Sequence, residues 1–128
     1  MPFDKSSNVS LQVSIEGKVI FESDGKWLHP LFDLKEFLDS EEFSLDNAEI
    51  CDKVIGKAAA LIFVYLGARH VHGSVMSDLA IQVFTNAEID YSYDQRVDRI
   101  ACKTEALLFN INDPGEAYQF ICIMAKRC

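Results

Sequence analysis

Residues 50 to 67, Ile-Cys-Asp-Lys-Val-Ile-Gly-Lys-Ala-Ala-Ala-Leu-Ile-Phe-Val-Tyr-Leu-Gly, constrain the fold more than any other stretch of the chain. The nine residues after Lys57 are all apolar or aromatic. A helix over them has no polar face and must be buried nearly all round. Asp52 is expected as its N-cap, accepting hydrogen bonds from the first unpaired backbone N–H groups. Gly67 suits the left-handed residue that ends it. Lys53 and Lys57, four apart, would then share a face. A buried central helix with a charged start is a common way for an α/β protein to build a site.

The flanking segments alternate between strand and helix signals. Leu11, Val13 and Ile15 alternate with polar residues, Glu16-Gly17 makes a turn, and Val19-Ile20-Phe21 returns as a hairpin strand. Pro30 opens a helix to about Asp39 with Leu31, Leu34 and Leu38 on its apolar side. Ser40 to Asn47, with Glu41, Glu42 and Asp46, is a solvated acidic loop. Ala48-Glu49-Ile50-Cys51 is long enough only for a short strand or an extended lead-in to the central helix. His70 to Val75 reads as a strand, and Ser74 or Ser77 caps a helix from Asp78 to Asn86. Ile89, Tyr91 and Tyr93 alternate in another strand, and Gln95 to Ile100 is a polar connection. Cys102 to Phe109 is a short helix. Asp113 and Pro114 begin a last one, with Tyr118, Ile121 and Cys122 inward. This order predicts a single α/β domain over residues 1–128 with a mixed sheet and a loose arm at residues 1–9.

Composition narrows the partners. With 20 acidic and 12 basic residues the net charge is −8, which argues against a general nucleic-acid or anionic-membrane surface. The apolar run is too short for a membrane span. The first residues lack the apolar core of an export signal, so a cytoplasmic location is expected. Cys51, Cys102, Cys122 and Cys128 form no CxxC pair. In that compartment all four are expected as reduced thiols.

The run Asp52-Lys53-Val54-Ile55-Gly56-Lys57-Ala58-Ala59-Ala60-Leu61 closely resembles the signature of a small prokaryotic family known as domain of unknown function 1893. The hairpin Glu16-Gly17-Lys18-Val19-Ile20-Phe21, the Pro30-Leu31 helix start, Tyr65-Leu66-Gly67 and Cys102-Lys103-Thr104-Glu105 match it in order. The resemblance implies a cytidine-deaminase-like fold, a three-layer α/β/α sandwich around a mixed five-stranded sheet. It implies no deaminase activity. Zinc deaminases carry His-x-Glu or Cys-x-Glu at one helix start and Pro-Cys-x-x-Cys at the next. Here Cys51, Asp52 and Lys53 occupy the first expected start and Ser74 to Asp78 the second. No metal and no cofactor are expected.

Two polar groups stand out as site candidates. Asp52, Lys53, Gly56 and Lys57 form a ligand-binding set if helix-start N–H groups and lysines hold a small anionic or nucleotide-like molecule. The plainer alternative is a cap, two solvated lysines and a glycine for packing, with Gly56 facing the sheet and Lys57 partly exposed. Cys102 and Glu105 form a catalytic pair if the helix dipole and Lys103 stabilise a thiolate and Glu105 handles a proton. Otherwise Cys102 is a small core residue. The last strand and its connection would bring Cys102 beside Asp52 in one cleft. His70 and His72 point the same way along a strand but lack an evident third ligand. Three functions remain open: a binder of a small anionic ligand, a Cys102-dependent enzyme, and a non-catalytic accessory domain. A homodimer is also left open.

Overall fold

The computed structural model describes residues 8–100, 107–108 and 110–128. β1 (Leu11–Ile15) and β2 (Lys18–Ser23) form the expected hairpin. Its turn residues Glu16 and Gly17 both have positive φ, 51° and 79°, the hand that matches strand twist and favours glycine. Three further strands follow, β3 (Ala48–Ile55), β4 (His70–Ser77) and β5 (Asp90–Val97). The sheet order is β2-β1-β3-β4-β5. β1 is antiparallel to both neighbours, and β3, β4 and β5 are mutually parallel.

Parallel strands need crossover connections. Here these are α2 (Lys57–Leu66) between β3 and β4, and α3 (Asp78–Asn86) between β4 and β5. α1 (His29–Glu41) precedes β3, and α4 (Pro114–Ala125) closes the chain. α1, α3 and α4 all contact α2, and every residue of α2 from Lys57 to Phe63 is buried. The continuous apolar run therefore does what its composition requires. Tyr118 of α4 stacks on Tyr65 with ring centroids 4.5 Å apart and packs against Phe32 of α1. The caps are local chemistry. Ser77 and Asp113 accept from the N–H of Ala80 and Glu116, and Gly67 ends α2 at φ 89°.

Three expectations are corrected. The strand expected to stop at Cys51 continues to Ile55, so Asp52 and Lys53 are strand residues and Gly56, not Asp52, is the N-cap of α2. β3 is flanked on both sides. Asp52 pairs with Leu11 and Gly73, Ile55 with Met76, and the Lys53 N–H donates to the Ser10 carbonyl. Two ladders and β-branched Val54 and Ile55 outweigh one more turn of helix. Lys53 and Lys57 consequently do not share a helix face. β5 likewise runs through Gln95 to Val97, because backbone pairing with Val75, Met76 and Ser77 does not need apolar side chains.

The third correction concerns the cysteines. Cys122 and Cys128 form a disulfide, while Cys51 is a buried thiol. Lys126 ends α4 in the left-handed region, and the Arg127 N–H bonds back to the Cys122 carbonyl. This reversal brings the two Cα atoms to 5.5 Å, within bridging reach. Arg127 then bonds Asp33 and Glu36 of α1 at 2.7 and 3.0 Å. Among the described residues no helix is long and apolar enough to cross a membrane.

Gly73 lies where β4 faces Ile55. A Cβ added there would sit 3.0 Å from Ile55 Cδ1 and 3.3 Å from Met76 Cε. Gly73→Val is expected to lower stability by about 1–3 kcal/mol by overpacking, and Gly73→Ala by less. Urea denaturation checks this. Equal midpoints for Gly73→Val and wild type would show that Ile55 and Met76 give way without cost.

Candidate functional site

A cavity of about 370 Å³ opens where β3 ends and α2 begins. All four ligand-binding candidates, Asp52, Lys53, Gly56 and Lys57, line it. Its apolar walls come from Trp27, Leu28, Val54, Ala58, Ala59 and Ile100, with Ser10, Gly25 and Lys26 at the rim. The placement follows from the topology. Helix starts that follow parallel strands gather at the carboxyl edge of the sheet.

Gly56 has ordinary extended dihedrals, φ −97° and ψ −172°. Among the described residues no side-chain oxygen caps α2, and Ala60 is the first residue whose N–H reaches an intrahelical carbonyl, that of Gly56. The N–H groups of Ala58 and Ala59 thus have no intrahelical acceptor. They sit at the positive end of the helix dipole, where an anion is favoured.

Asp52 is half-buried in the central strand. Burial pushes its carboxyl up to about 7, against the opposing pull of N–H bonds from Val54 and Lys53. At neutral pH it is close to half protonated, able to donate or accept. Lys57, expected partly exposed, is 4% exposed, and its Nζ donates to the Leu108 carbonyl at 2.7 Å. The all-apolar surroundings of α2 exclude water, so the ammonium is held by protein oxygen. Gly56, expected to face the sheet from within the helix, instead sits at its mouth.

Trp27 is the wall residue that sequence reasoning missed. It lies in the connection between β2 and α1, is 44% exposed, and has φ 57°. Positive φ is uncommon for a bulky residue and marks positions held by their surroundings. A lone tryptophan beside Gly25 was the available signal. Its ring meets His29 edge-on at 5.5 Å.

Cys102 and Glu105, the catalytic candidates, lie outside the described residues. His70 and His72 project with Cys51 and Glu49 toward a broader cleft of about 660 Å³. His70 pairs with Asp90 at 3.2 Å. His72 contacts the Ser92 hydroxyl at 2.7 Å and Asp94 at 3.3 Å. Among the described residues no group of three or more His, Cys, Asp or Glu is placed to hold a metal ion.

Residues 5–124 match the model of the family described as Domain of unknown function (DUF1893). A crystal structure of a DUF1893 family protein from Thermotoga maritima is 27% identical in sequence and superposes with a TM-score of 0.83. The match covers 91% of this chain and 81% of that one. No curated protein matches.

Two outcomes test the site's energetics. Lys57→Ala removes one of the two hydrogen bonds to the Leu108 carbonyl, which keeps the Ile111 N–H, and opens buried space, and is expected to cost about 2 kcal/mol. A thermal melt like wild type would show that water replaces the ammonium. Asp52 has a folded pKa raised above its unfolded value, so the folded state holds the extra proton. Stability should therefore fall as pH rises from about 4 to about 7 and then level off. Asp52→Asn should remove that slope and gain on the order of 1 kcal/mol at pH 8. Denaturation midpoints across this range read it, and parallel profiles for the two proteins would refute it.

Proposed function

We infer the function of this chain, which belongs to the DUF1893 family, from the cavity at the start of α2: it binds a small anionic, nucleotide-like ligand there. The observation that carries this reading is the convergence of Asp52, Lys53, the uncapped first turn of α2 and the Trp27 ring on one cavity. The Ala58 and Ala59 N–H groups and Lys53 take the anionic group. Trp27 offers a flat apolar surface to a planar ring. Asp52, poised near neutrality, hydrogen-bonds a polar edge of that ring. A cavity of this size suits a small metabolite. The net charge of −8 supports a small anion held in one local basic pocket rather than a polynucleotide.

The same reading takes the fold as a single three-layer, cytidine-deaminase-like domain. Its support is the mixed five-stranded sheet with two successive helix starts at the carboxyl ends of β3 and β4. Those starts carry Gly56, Lys57, Ala58 and Ala59, and Ser77 and Asp78. This donor set offers no thiolate or imidazole and does not fit a zinc ion.

A second reading makes Cys102 a nucleophile with Glu105 as its proton handler. It is favoured by the neighbours of that segment. Ile100 lines the cavity, and the Leu108 carbonyl receives Lys57. Modification of Cys102 by a thiol reagent should then be far faster than that of free cysteine.

The test uses the single tryptophan. Titrating nucleoside monophosphates into the protein should change Trp27 fluorescence saturably. Lys53→Glu should weaken binding by about tenfold or more with the fold intact. Affinity should fall as pH rises through 7, when Asp52 becomes an anion beside the ligand's own charge. No saturable change with the monophosphates, or equal binding by Lys53→Glu, would overturn the anionic-ligand reading and leave the Cys102-dependent enzyme and the accessory domain.

A further inference from the structure

β5 is the outer strand of the sheet, with β4 on one side and, among the described residues, no strand on the other. It runs for eight residues, Asp90–Val97, and all but Val97 are exposed. Beyond it the chain turns back toward α2, since Ile100 lines the cavity there. A regular edge of this length presents a row of backbone N–H and C=O groups that readily takes another strand. Three usual protections are missing from the strand itself: β5 has no proline, no lysine and no register shift against β4, although it carries Asp90, Asp94 and Arg96. The opposite edge strand, β2, carries Lys18 and pairs with β1 through a register shift.

We propose that β5 pairs antiparallel with β5 of a second copy of this chain, about a twofold axis at Tyr93, joining two sheets into one of ten strands. The side chains fix this register. Asp90, Ser92, Asp94 and Arg96 share one face, cross-strand from the histidines, and Tyr91, Tyr93 and Gln95 share the other. A twofold normal to the sheet pairs residues of the same face. With the axis at Tyr93, Asp90 of each copy faces Arg96 of the other, and Ser92 faces Asp94. Tyr91 faces Gln95, and the two Tyr93 rings meet at the centre. Seven residues of β5 are then paired without a like-charge contact. An axis at Ser92 sets Asp90 against Asp94, and one at Asp94 sets that carboxylate against its own copy. An axis at Gln95 avoids both clashes but pairs only five residues of the strand. Directly opposed like charges are destabilising and opposite charges favourable in such pairs. Arg96 already donates from Nε to Asp78 and also hydrogen-bonds Tyr93, and its five N–H donors leave others for a partner. Tyr91 and Tyr93, 37% and 39% exposed, supply the aromatic contact.

Sedimentation equilibrium of the full chain tests this. The expected mass is twice 14.4 kDa. Arg96→Asp and Asp90→Arg should each weaken the dimer by about tenfold or more, because each sets like charges across the axis twice. The double variant Asp90→Arg/Arg96→Asp should restore it. Tyr93→Lys, an exposed edge change that leaves the core untouched, should give a folded monomer by circular dichroism. A wild type that stays at 14.4 kDa at every concentration overturns the proposal. So does a dimer that Tyr93→Lys leaves intact, or a double variant no tighter than its parents. The outcome is independent of ligand binding at α2.

Discussion

The ammonium of Lys57 fixes more of this molecule than any other single group. It stands at the first position of a helix whose next six residues are buried, and an unpaired charge there would cost several kcal/mol. Its bond to the Leu108 carbonyl offsets part of that cost. The same bond pins a segment 51 residues away against the start of α2. With the helix start fixed in place, the end of β3, the Trp27 connection and Ile100 close around it as a cavity. A lysine that reads as solvated thus closes the floor of the site.

Around that anchor the sheet separates two kinds of polar chemistry. At the carboxyl end of β3, desolvation governs. Asp52 is driven toward neutrality because apolar walls shut out water. Across β4 and β5 the carboxylates Asp90 and Asp94 stay exposed beside His70 and His72, where screening keeps each contact weak. Charge on an open sheet surface is available for complementarity between molecules. Charge in a largely apolar cavity is available for a ligand.

Much of the site was legible in the residues. The run Asp52-Lys53-x-x-Gly56-Lys57 does line one cavity, and Ser77, Asp113 and Gly67 cap helices where their chemistry suggests. The apolar run after Lys57 sets a buried helix whatever surrounds it. What was misread was the boundary. Asp52 looks like a cap because its side chain accepts N–H bonds well, and nothing local distinguishes a capping aspartate from one late in a strand. Trp27 was passed over because a positive φ leaves no mark on composition.

The sequence by itself determined the alternation of strands and helices, the identity of the central helix and the absence of a polar face on it. These are properties of periodicity and side-chain transfer energy, which neighbouring residues carry alone. Only the tertiary structure decided where β3 stops, because its last residues, Asp52 to Ile55, are extended by hydrogen bonds to β1 and β4, far away in the chain. It also decided the protonation of Asp52, the burial of Lys57 and the pairing of Cys122 with Cys128. Each depends on distances and on excluded water, which come into being only when separate segments meet.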